Sequence, residues 1–142
     1  EPVGTQIEKQ GKGYIIASLG GLLNEEVPYT CFSSLKSYLN KNEDKLTKFT
    51  KAIIKGLDYV NNNKPEDIAS YLQKDFSSSS NEELINVINN YKNIKAWPIE
   101  MNFTKKSFDK LIDIVKEANE LEKDVVVPYE KLVINQIINT AK

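Results

Sequence analysis

Apolar side chains at Leu46, Phe49, Ile53, Leu57 and Val60 recur at steps of three or four residues, the spacing that places them on one face of an α-helix. Lys45, Lys48, Lys51 and Lys55 fill much of the other face, and Asn42-Glu43-Asp44 supplies a cap and first-turn acids ahead of them. Such a stripe needs a layer to cover it. The run Tyr29-Thr30-Cys31-Phe32-Ser33-Ser34, aromatic and β-branched, stands just upstream and reads as a strand. A short helical turn carrying Tyr38 and Leu39 joins the two. Val27 to Val60 is therefore expected to organise the chain, with its long helix laid on a sheet.

The remaining elements follow from similar signals. Val3 to Gln10, with Pro2 ahead and Gly11 and Gly13 behind, reads as a short helix with a glycine stop. Tyr14-Ile15-Ile16-Ala17-Ser18-Leu19 reads as a buried strand, ended by Gly20-Gly21 and neighbouring the second strand. Asn61-Asn62-Asn63 ends the long helix, and Pro65 with Glu66 and Asp67 starts the next one, which bears Ile68, Tyr71 and Leu72. The serine run at 77–80 reads as a loop plus cap, because Ser80 and Glu83 match a capping box ahead of Leu84, Ile85, Val87 and Ile88. Thr104 caps a helix with the stripe Phe108, Leu111, Ile112, Val115, Ala118 and Leu121. Val125-Val126-Val127 is extended before Pro128, and a terminal helix carries Leu132, Val133, Ile137 and Ile138. Two strands are too few for a sheet covered by this many helices. The missing strands are expected upstream of Glu1 or from another chain.

Composition narrows the function classes. Lys+Arg total 19 against Asp+Glu at 20, for a formal net charge of −1, so no global field favours nucleic acid or an anionic membrane surface. The absence of histidine removes the side chain most used for acid–base work near neutral pH and the commonest metal ligand. No catalytic residue, metal site or cofactor is assigned. Cys31 is the single cysteine; lying in an apolar run, it reads as a small buried residue rather than a nucleophile. One cysteine also leaves open an intracellular chain or an exported one that does without disulfides.

Taken in order, Glu1-Pro2, GKGYIIASLG, VPYTCF, NKNEDKLTKFTKAIIKGLDYVNNNKPEDIASYL and a Thr-capped helix followed by VVVPYEKLV resemble the C-terminal part of bacterial ABC-transporter solute-binding proteins of the nitrate/sulfonate/thiamine-precursor group. The resemblance covers nearly the whole chain and rests on the order and spacing of these pieces. It implies an α/β fold: residues 1–142 as one fragment, the helix-rich C-terminal part of one lobe of a two-lobe (type II) periplasmic-binding-protein fold. It further implies a non-catalytic protein that captures a small polar solute, a sulfonate such as taurine, nitrate or a thiamine pyrimidine precursor, and delivers it to a membrane permease. The location implied is extracytoplasmic, either periplasmic or lipid-anchored at the cell surface. Self-association of the fragment through unpaired strand edges is a further expectation. The alternatives are a thiamine-pyrimidine-precursor biosynthetic enzyme of the same fold and a helical protein-interaction module without ligand.

Three residues are candidates for ligand contact. The resemblance places Glu1 at the mouth of the cleft, where a carboxylate accepts hydrogen bonds from an amino group; otherwise it is a hinge residue or a solvated chain end. Tyr29 and Thr30 open the second strand, where ligands gather in open α/β sheets, and their competing role is core packing for Tyr29 and simple strand formation for Thr30. Gly20-Gly21 reads as a turn and Trp97 as a loop anchor. Glu82-Glu83, and Glu117 with Glu120, read as acids on polar helix faces.

Overall fold

A computed structural model describes residues 2–18, 21, 26–28 and 30–142. Along them run α1 (Val3–Lys9), α2 (Lys36–Lys41), α3 (Glu43–Asn62), α4 (Pro65–Leu72), α5 (Asn81–Asn93), α6 (Lys105–Glu117), α7 (Tyr129–Leu132) and α8 (Gln136–Ala141). They fall into two compact units, one of Glu1–Asn24 and Lys55–Ile99 and one of Glu25–Ile54 and Glu100–Lys142.

The first unit is built on the packing of α4 against α5. Ile68 and Ala69 of α4 meet Leu84 and Ile88 of α5, all at most 4% exposed, and Tyr59, Val60, Leu72, Ile85 and Trp97 close around them. Burying a leucine or isoleucine side chain contributes about 1.5–3 kcal/mol, so this small cluster is the unit's main source of order. Pro65 sits at the start of α4 as expected. The serine run closes the corner: Gln73 Nε2 donates to the Ser79 carbonyl at 2.9 Å, and the capping box forms in full. Ser80 Oγ accepts the Glu83 N–H at 3.2 Å while Glu83 Oε2 accepts the Ser80 N–H at 2.8 Å. Lys92 on α5 reaches the last carbonyls around the end of α3, donating to Asn63 O at 2.7 Å, where a cation also favours the helix dipole. Trp97 packs on the core and meets Tyr91 edge-on at 5.5 Å, which is the anchoring role expected of it.

In the second unit, Thr104 caps α6 by accepting the Ser107 N–H at 3.1 Å. Phe108, buried on α6, stacks edge-on with Phe103 at 5.9 Å and with Tyr129 at 5.4 Å. The Tyr129 hydroxyl donates to the Phe103 carbonyl and accepts from Asn135 Nδ2 at 3.0 Å. These bonds tie the segment after Pro128 to the start of α6. They also divide the expected terminal helix into α7 and α8: Val133 is extended, and the Asn135 amide is committed to Tyr129 and Phe103.

The expected strands are corrected. Among the described residues neither Tyr14–Ser18 nor Thr30–Ser34 joins a β-ladder. Tyr14 is 85% exposed, Ile16 96% and Phe32 67%. A strand exists only through hydrogen bonds to a neighbour, and β-rich composition cannot supply one. Ile15 N–H turns instead to the Glu8 carboxylate at 2.7 Å, and Phe32 covers one edge on Phe49, ring centroids 4.9 Å apart. Cys31, expected to be buried, is exposed for the same reason. The helix-rich character is borne out.

Among the described residues, three helices end on a residue with positive φ: Gly11 (65°) after α1, Lys95 (52°) after α5 and Asn119 (58°) after α6. In each, the next N–H reaches back to the last turn, Lys12 to Ile7 O at 3.1 Å, Ala96 to Tyr91 O at 2.9 Å and Glu120 to Val115 O at 3.1 Å, which is the Schellman arrangement. Glycine and asparagine suit this conformation, whereas a lysine there carries a Cβ penalty of about 1–2 kcal/mol. Lys95→Gly is therefore expected to raise stability by roughly 1 kcal/mol, read as a higher urea midpoint by circular dichroism. An unchanged or lower midpoint would contradict the assigned helix end.

Candidate functional site: the cleft between the first and fifth helices

Within the first unit α1 packs on α5, and the two helices enclose a cleft of ≈ 330 Å³. Helical spacing explains its lining. Thr5, Glu8 and Lys9 are separated by three and four residues and share one face of α1. Glu82 or Glu83, Asn86 and Asn90 are related in the same way on α5, and all of these residues line the cleft. Its walls thus carry three carboxylates, two amides, a hydroxyl and one ammonium group.

The central interaction is an ion pair, Lys9 Nζ to Glu83 Oε1 at 3.1 Å. Glu83 holds its other oxygen on the Ser80 N–H, so one carboxylate both caps α5 and binds α1 to it. Thr5 is buried, and Asn90 Nδ2 lies 3.5 Å from its Oγ1. Glu8 accepts the Ile15 N–H and so fixes where the chain leaves α1. Lys9 and Glu83 also border a second depression with Gln6, Gln10 and Ser78. Chemically the cleft is rich in acceptors and suits a small polar molecule that presents N–H donors. Among the described residues no three His, Cys, Asp or Glu side chains come together as a metal-binding group.

Of the sequence-derived candidates, Thr30 is not among the residues lining this cleft. Glu1 and Tyr29 lie outside the described residues. Thr30 is exposed in the second unit, in a segment without regular structure. Glu82 and Glu83, read from sequence as acids on a polar helix face, also line a cleft together with Glu8. The signal for half of this was present in the Ser80/Glu83 capping box. Nothing in the sequence pointed to Lys9, 74 residues away.

Hydrogen bonds from the Ser80 N–H and from Lys9 hold the Glu83 carboxyl below its usual range. A carboxylate depressed in the fold stabilises it above the ordinary carboxylate range and loses that contribution as pH falls through the folded value. Glu83→Gln keeps the capping geometry and removes the charge. The wild type is expected to be the more stable at neutral pH, with the two urea midpoints converging as pH drops below the carboxylate range. Parallel curves down to the lowest pH would show that the charge of Glu83 is not what joins α1 to α5.

No described protein family matches the chain by its profile, and no solved structure matches it significantly. A curated protein of Bacillus subtilis (strain 168), named "Putative binding protein YtlA", is 36% identical over 137 residues, 96% of this chain and 40% of the relative. The chain spans about two fifths of the length of the relative it matches.

Proposed function

We propose that the chain is the helical part of a non-catalytic, extracytoplasmic solute-binding protein that serves an ABC importer, of the nitrate/sulfonate/thiamine-precursor group. The observation that carries this reading is the likeness to a protein named as a binding protein across nearly the whole chain. Two structural features support it. The α1–α5 cleft offers hydrogen-bond acceptors to a solute that carries an amino group, as taurine and aminopyrimidines do. The exposed β-rich run at 14–17 suits a strand that gains its neighbours from more of a two-lobe fold, where a strand buried on both faces reads as a continuous apolar run.

In this reading the protein holds its solute between two lobes and hands it to a membrane permease. It works in the periplasm or lipid-anchored at the cell surface. Glu1, Tyr29 and Thr30 are the proposed solute contacts, and within the first unit the α1–α5 cleft supplies a polar surface of its own.

The experiment is a thermal-shift screen of the full-length protein against taurine, alkanesulfonates, nitrate and aminopyrimidines. A solute that binds only the folded state at about a hundred times its Kd adds roughly 2.7 kcal/mol, a rise of several degrees for one class and none for the others. Absence of a shift with every class, together with tight binding to a protein partner, would overturn the transport reading. With the solute in hand, Glu1→Ala is expected to lower affinity at least tenfold; an unchanged Kd would reduce Glu1 to a hinge residue.

A further inference from the structure

Every basic side chain in the protein is a lysine, and their distribution is uneven: residues 36–55 carry six lysines against two carboxylates, while the rest of the chain carries thirteen against eighteen. All six are exposed. On α3, Lys48, Lys51 and Lys55 fall within about 60° of one another at roughly 100° per residue, with Lys45 about 60° to one side; Asp44 and Asp58 lie on the same face, which therefore carries four lysines against two carboxylates. The lysines extend over about 15 Å of helix. Lys48 pairs with Asp44 at 2.7 Å, and among the described residues Lys45, Lys51 and Lys55 form no ion pair. The stripe lies away from the apolar positions Leu46, Ile53 and Leu57, all partly buried, so covering the apolar face of α3 leaves the lysines in solvent.

We infer that the lysine face of α3 is a docking surface for an anionic phospholipid bilayer. A helix laid flat presents its whole stripe to a plane of headgroups. Lysines, strongly hydrated point charges on flexible stems, suit a diffuse anionic surface, whereas the bidentate recognition of particular carboxylates or phosphates favours arginine. The net charge of −1 means that only a segregated patch directs such an encounter and orients the molecule. This inference does not depend on the identity of the solute.

The test is flotation of the full-length, non-acylated protein with vesicles of phosphatidylcholine alone and of phosphatidylcholine with a third phosphatidylglycerol. Retention is expected on the anionic vesicles only and is lost in high salt. Lys51→Ala with Lys55→Ala is expected to lower the partition coefficient by roughly fivefold per lysine, while Lys64→Ala with Lys74→Ala, an equal change of charge on other exposed lysines, leaves it unaltered. Circular dichroism confirms that both variants fold. Absence of retention on anionic vesicles, equal retention on both vesicle types, or an equal loss in both double variants overturns the assignment. A failed solute screen with retention intact would sink the transport reading and leave this surface standing.

Discussion

The contact of Ile68 and Ala69 with Leu84 and Ile88 is the constraint on which the first unit depends. It fixes α5 against α4, and α5 in turn provides one wall of the polar cleft and the Glu83 carboxylate that holds α1. A small apolar cluster thereby sets the position of groups that could not hold themselves together. An exposed ion pair contributes little alone, and here Lys9–Glu83 matters because the same carboxylate also satisfies a helix N-terminus. The second unit uses a different device. Its aromatic series Phe103, Phe108 and Tyr129 is locked by the Tyr129 hydroxyl and the Asn135 amide.

Sequence periodicity reads the helices well, because caps and stripes are local. Pro65, the Ser80/Glu83 box, Thr104 and the glycine after α1 each act within a few residues of the element they delimit. Lys95 was illegible, since nothing in a lysine announces positive φ. The strands failed for a deeper reason. Tyr14–Leu19 and Tyr29–Ser34 have the composition of strands, but a ladder is a property of two segments, and the described residues provide no partner. The cleft was half legible: the cap on Glu83 is local, whereas Lys9 meets it only through the packing of α1 on α5. Of the ligand candidates, Thr30 is exposed and Glu1 and Tyr29 lie outside the described residues.

The exposed apolar run and the likeness to a longer binding protein bear on the same question from two sides. Leaving Tyr14 and Ile16 in water forgoes burial of about 1.5–3 kcal/mol for each such side chain. The matched relative extends well beyond the aligned region. Under the proposed reading these observations have one cause: a helical layer that completes its sheet with more of the protein and lends a polar wall to a solute site.

That account is tested most directly by hydrogen–deuterium exchange of the full-length protein with and without the solute found by screening. It predicts slow exchange along Tyr14–Ala17 in both states, as for a paired strand, and added protection of α1 and the first turns of α5 when solute is bound. Fast exchange along Tyr14–Ala17, with no change at α1 or α5 on saturation, would contradict it.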